Sequence, residues 1–224
     1  MKRFALLALA SGMAIAAASP ANAAVYFAYQ LQPGGLINTV AATQIGTSGL
    51  YQGGDSAGGF TFTFSASGLP ALASPGLSSQ TISVSSDGAK TTGLTLFVGQ
   101  TGNSAFSGSL ASSFTSQGLT GLAQSVTMST YYNAAGGTVY TGNSIGTASF
   151  SGLGTQTANS GPLSLAGGFT TLQRYDLTFT GAGTFNDTIQ ISGVPEPTTW
   201  GMMIVGFGLM GGALRRRSTK VAFA

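Results

Sequence analysis

From residue 25 onward, apolar residues alternate with serine and threonine in short runs broken by glycine. A period of two belongs to a strand, whose successive side chains point to opposite faces. The clearest run is Phe60-Thr61-Phe62-Thr63-Phe64-Ser65, which puts three phenylalanines on a buried face and hydroxyls on the other. Residues 25–31 are rich in strand formers and stop at Pro33-Gly34-Gly35, and residues 36–40 make a weaker strand. Gly53-Gly54-Asp55-Ser56 has the composition of a turn or loop. Thr81-Ile82-Ser83-Val84-Ser85 alternates up to the turn signal Asp87-Gly88, so residues 92–98 are its expected hairpin partner, closed by residues 99–103. In residues 104–124, Phe106, Leu110 and Phe114 recur at helical spacing, but the serines and glycines between them favour strand plus loop. Residues 125–132, 138–141 and 145–150 read as short strands with glycine turns between them. Residues 175–180 and 188–192 both alternate, joined by Gly181-Ala182-Gly183, with Asp187 in a hairpin loop. Thr101-Gly102-Asn103-Ser104 recurs at Thr141-Gly142-Asn143-Ser144; two copies of a tetrapeptide read as similar turns, not as a solenoid repeat. The prediction is an all-β fold: an antiparallel β-sandwich or jelly-roll-like body over residues 24–193, with no helix longer than about three turns.

The two ends break this pattern. Lys2 and Arg3 precede an apolar run over residues 4–18, followed by Ser19-Pro20-Ala21-Asn22-Ala23. Charged start, apolar middle and small residues two apart are the parts of a secretory signal peptide, a short helix at residues 1–23. Ala21 and Ala23 form the expected signal peptidase site, with cleavage after Ala23. At the other end, Ser192-Gly193 reads as a linker into Val194-Pro195-Glu196-Pro197. An uncharged, glycine-containing run follows, then Arg215, Arg216 and Arg217, then a short tail over residues 218–224. A backbone in hydrocarbon must satisfy its own polar groups, so the run predicts a single transmembrane helix over residues 199–214. Trp200 suits the interface, and the arginines form a basic stop that favours the cytoplasmic side. Gly206, Gly208 and Gly211 match the spacing of a dinucleotide fingerprint, but the chain ends 13 residues later without the ribose-binding acid that motif requires.

Pro195-Glu196-Pro197, Trp200, the short apolar helix and the arginine cluster resemble the PEP-CTERM sorting signal of Gram-negative bacteria. The resemblance covers only about the last 30 residues, with the signal at residues 194–217, and says nothing of the body; the seven-residue tail after the arginines is longer than is usual in that family. It implies that an exosortase, a membrane-embedded cysteine transpeptidase, is the processing partner. It further implies transient residence in the inner membrane, cleavage near the Pro-Glu-Pro and delivery to the cell surface or extracellular matrix. The family's association with exopolysaccharide and biofilm is part of the same implication.

Charge sharpens the division between body and ends. The whole chain carries +3, yet the body holds only Lys90 and Arg174 against Asp55, Asp87, Asp176 and Asp187, a balance of −2. Such a body has no electrostatic footprint for nucleic acid. No cysteine is present, so packing and strand pairing must supply the stability. No histidine is present either, which removes the Ser-His-Asp and Cys-His arrangements and the commonest zinc ligand. Asp55 and Asp87 sit beside glycine or serine as turn residues do, and Arg174 and Asp176 are expected on one face of a strand as a weak ion pair. No catalytic constellation, cofactor motif or metal-ligand spacing appears, so the expectation is that the chain is not an enzyme. Two classes stay open: a structural protein of the surface or matrix, contacting exopolysaccharide or its own copies through hydroxyl-rich faces, and a carbohydrate-binding module on the same sandwich. Exposed aromatics gathered on one face would favour the second; Tyr26, Tyr29, Tyr131, Tyr132, Tyr140 and Tyr175 are the candidates.

Overall fold

A computed structural model of the protein describes residues 24–32, 34–69, 71–88, 93–195 and 197–215. The expected signal peptide with Ala21 and Ala23, together with Glu196, Arg216, Arg217 and the tail, lies outside the described residues. Among those described, eleven strands form one antiparallel sheet and a single helix follows. The strands are β1 (Val25–Gln30), β2 (Ile37–Val40), β3 (Thr43–Ile45), β4 (Leu50–Ala57), β5 (Phe60–Ser67), β6 (Leu77–Ser86), β7 (Gly93–Asn103), β8 (Phe106–Asn133), β9 (Asn143–Phe150), β10 (Gly154–Leu165) and β11 (Phe169–Pro195); the helix is α1 (Pro197–Arg215).

Two long strands organise the sheet. β8 and β11, of 28 and 27 residues, pair with each other from Asn133↔Thr170 to Gly108↔Pro195. The other edge of β11 takes β7 along residues 169–178 and β6 along residues 183–191. The other edge of β8 takes β10 along its first half and β9 along its second. Beyond β7 the sheet continues to β1 and β2, and beyond β6 to β5, β4 and β3. The long pair thus carries the sheet from one half into the other. Its register shifts between Thr178 and Gly183, where the two backbones come close. Gly121 sits there at φ +67°, and a Cβ on it would lie 2.5 Å from the Ala182 carbonyl oxygen, so only glycine fits.

The two halves face each other across an apolar core. Phe27 of β1 stacks on Phe64 of β5 with centroids 4.8 Å apart, and Tyr29 lies 4.9 Å from Phe62. Phe60, Phe62 and Phe64 are all buried while Thr61 and Thr63 are exposed, as the alternation predicts. β7 adds Leu94, Leu96 and Val98, and the long strands add Phe114, Val126, Met128, Leu177, Phe179, Phe185 and Ile189. Polar cross-links span the same interior. Ser112 and Thr130, both in β8 but on opposite sides of the bend, share a hydrogen bond of 2.7 Å. The Gln173 side-chain amide donates to the carbonyls of Leu77 and Ile189 at 2.9 and 3.1 Å.

Several local expectations are corrected. Residues 175–180 and 188–192 are not a hairpin; both belong to β11, and Gly181-Ala182-Gly183 passes through the bend. β6 and β7 are not partners, because each takes a different half of β11. Residues 99–103 belong to β7. Residues 106–124 contain no helix and no intervening loop; they run into residues 125–132 as one strand, with only residues 104–105 left as the connection from β7. Gly53 to Ser56 lies within β4, and the turn falls at Gly58-Gly59. Residues 138–141 form no strand. The repeated tetrapeptides differ: Asn103 is buried at the end of β7, whereas Thr141 and Gly142 precede β9. Ser192 to Pro195 is the end of β11 and not a free linker. Finally, α1 starts at Pro197, two residues earlier than expected, where a missing N–H costs nothing. No helix among the described residues is long and apolar enough to cross a membrane. Five glycines, Thr198, Thr199 and the terminal Arg215 dilute the apolar run of α1.

Candidate functional site

The C-terminal segment begins inside the sheet. Val194 and Pro195 pair with Ser109 and Gly108 of β8, and one residue, Glu196, separates this strand end from the helix. Pro195 falls at the last position of the strand, where a residue without an N–H interrupts no further ladder. Trp200 lies in the first turn of α1 and Arg215 in its last. A cation at a helix C-terminus complements the helix dipole. Every described side chain between Gly201 and Gly212 is exposed, including Met202 at 78% and Leu209 at 71%. Met202, Met203, Ile204 and Val205 follow one another, so they point around most of the helix circumference and leave no polar face to turn toward water. The body offers this helix no seat: a Cβ built on Gly201, Gly206, Gly208, Gly211 or Gly212 meets nothing within 4 Å.

The six candidate tyrosines separate into three environments. Tyr29 and Tyr175 are buried in the core between the two halves. Burial drives the Tyr175 phenol well above its usual range, and its hydroxyl bonds to Ser79. Tyr132 packs, half-buried, against a smaller cluster of Leu110, Ile145, Leu165, Phe169 and Ile191. Tyr26, Tyr131 and Tyr140 lie half-buried against Ala28, Phe97 and Leu172, on the opposite face of β1, β7 and β11 from the core. Two of these rings are engaged edge-on. Tyr140 meets Tyr26 at 6.0 Å and Phe97 at 5.2 Å, both T-shaped. The Tyr26 hydroxyl donates to the Val139 carbonyl and accepts from the Val139 N–H, which fastens residues 138–140 onto this face. Beside them Arg174 pairs with Asp176 at 2.7 Å, as the spacing predicts, and its guanidinium stands 5.9 Å from the Phe97 centroid. Thr95 donates to the same carboxylate at 2.7 Å.

The four aspartates stay apart, and among the described residues no three acids, histidines or cysteines are placed to hold a metal ion. Asp55 caps its own neighbour, accepting from the Ser56 N–H at 2.7 Å, and Asp87 abuts the β4–β5 turn at Gly59. Asp187 departs most from its expected hairpin loop. It sits mid-strand in β11, 1% exposed, facing the interior between Phe185 and Ile189. Burial pushes its carboxyl up to about 6, and Ser116 across the ladder offsets only part of that shift. Neither oxygen of Asp187 nor the Ser116 hydroxyl makes a hydrogen bond of good geometry. The sequence signal that could have placed it is the alternation itself: Phe185, Asp187, Ile189 and Ile191 share one face.

Comparison with known proteins separates the two regions again. The family model of the PEP-CTERM protein-sorting motif matches residues 193–217. No curated protein matches the chain. Among solved structures, TmCBM61 in complex with beta-1,4-galactotriose is similar at a TM-score of 0.33 and 11% identity, over 51% of this chain and 70% of that one. A likeness at that level carries no argument about fold or ligand.

Proposed function

We propose that this chain, which carries a PEP-CTERM sorting motif at its C-terminus, is an exported protein of the cell surface or extracellular matrix. An exosortase processes it at the inner membrane, and the β-rich body is the delivered product. The observation that carries the reading is the motif at residues 193–217, most of it in helix α1, whose described side chains find no seat on the body. An apolar helix without a polar face is unstable in water and favours hydrocarbon. Nineteen residues rise about 28 Å, close to the hydrocarbon thickness of a bilayer. Its glycine-diluted hydropathy suits a temporary hold rather than a permanent anchor, with the arginines left on the cytoplasmic side. In this reading the N-terminal segment directs export and is removed after Ala23.

The body then acts by structure and contact, not by turnover. The outward faces of its strands present threonine and serine in registered pairs, such as Thr120 with Thr184 at 2.6 Å and Thr127 with Ser149 at 2.9 Å. Such faces meet polyhydroxyl polymers or further copies of the chain through hydrogen bonds without charge. Support for a discrete carbohydrate-binding module is weaker, because the rings of Tyr26 and Tyr140 are engaged in fastening residues 138–140. The test is replacement of Pro195, Glu196 and Pro197 by alanine in an exosortase-containing host. The full-length form should accumulate in the inner membrane and disappear from the surface. Unchanged surface delivery would defeat the proposal.

A further inference from the structure

The end of β11 is more firmly held than a cleavable strip should be. Val194 and Pro195 lie in register with Ser109 and Gly108, and β8 is itself covered on its far edge by β10. Gly108 stands at φ +148°, so close to the Val194 carbonyl that a Cβ would collide with it. On the same stretch, a Cβ on Gly193 would lie 2.6 Å from the Phe106 ring and 2.7 Å from Pro75. The strand end is therefore seated between a ring, a proline and a glycine that admits close backbone approach. Helix α1 starts two residues after it, so the body and the membrane segment leave almost no slack.

We propose that this strand end is a processing clasp: the body must release Gly193 to Pro195 from β8 before the segment can be cut, so the folded body sets the processing rate. The proposal rests on the sorting reading above. A protease takes its substrate as an unpaired extended chain, and where opening and closing outpace cleavage the rate follows the population of the open form. Phe106, Gly108 and Pro75 then act as positioning residues for the processing step, although none belongs to the sorting motif.

The chain has no cysteine, so one engineered pair is unambiguous. Ser109 and Val194 are opposite in the ladder, and Val194 is 45% exposed. Opposed Cα atoms of an antiparallel pair are about 4.5–5.5 Å apart, within disulfide reach. The double variant S109C/V194C should be processed about tenfold or more slowly when oxidised, and at the wild-type rate when reduced. Phe106→Ala should act in the opposite direction and speed processing several-fold, roughly as the open population rises. The thermal midpoint of each variant's exported body checks that the fold is retained. Equal processing of the oxidised and reduced forms, or no acceleration in Phe106→Ala with the fold retained, overturns the clasp and leaves the sorting reading standing. A wild-type chain that keeps its helix in an exosortase-containing host overturns the sorting reading, and the clasp with it.

Discussion

The body and the C-terminal helix treat apolar side chains in opposite ways. In the body, phenylalanines alternate with hydroxyls and every ring of Phe60, Phe62 and Phe64 is buried. In α1 the apolar residues run consecutively, and Phe207, Leu209 and Met210 are all exposed. Alternation buries one face against a partner made by the same chain. A run without alternation has no dry face to choose, and in α1 its described side chains find no partner on the body. On the proposed sorting reading, one sequence codes for two solvents, and the switch between them falls within residues 193–197.

The sharpest way to break this contrast is to remove a ring from each region. Phe62→Ala should destabilise the body by roughly 3–5 kcal/mol, read as a shift in the denaturant midpoint of the unprocessed full-length chain in detergent. Phe207→Ala in the helix should leave that midpoint where it was. Equal effects would mean that the helix is part of the body's core after all.

The next effect is a pH dependence confined to the body. Burial disfavours the Asp187 carboxylate and pushes its carboxyl up to about 6, above the ordinary aspartate value of about 4. The folded state thus binds the proton more tightly than the unfolded chain. The stabilisation is fully present below about pH 4 and is lost as pH rises through about 6, on the order of 2–3 kcal/mol in all. Thermal midpoints measured between pH 4 and pH 8 should fall across that window, and Asp187→Asn should flatten the profile. A profile already flat in the wild type would show that Asp187 is solvated or paired.

The smallest effect is expected at the outer face. Arg174 and Asp176 are 31% and 34% exposed in their side chains, so Arg174→Ala should cost about 0–1 kcal/mol. A larger loss would show that the stack of Arg174 on Phe97 organises that face beyond the ion pair.

What the sequence disclosed follows the range of the signal. The Phe60 to Ser65 strand was legible because alternation and burial coincide within six residues. The sorting segment was legible because its proline, tryptophan and arginine positions are local. The bend was not. Gly181 and Gly183 look like turn punctuation, yet their use is to let β11 pass close to β8 at Gly121, a contact some sixty residues away in sequence. β10 was missed because Gly154 to Leu165 holds few large apolar residues and draws its place from pairing with β8. The seating of Val194 and Pro195 in the sheet was hidden for the same reason: its cause lies in Gly108, far upstream.

The proposed division between a retained body and a discarded helix is tested most directly by the intact mass of the protein recovered from the cell surface. The mass should correspond to a chain that starts at Ala24 and ends within residues 194–197, lacking Trp200 and everything after it. A surface form whose mass still includes Arg215, Arg216 and Arg217 would contradict this and make α1 a permanent part of the mature protein.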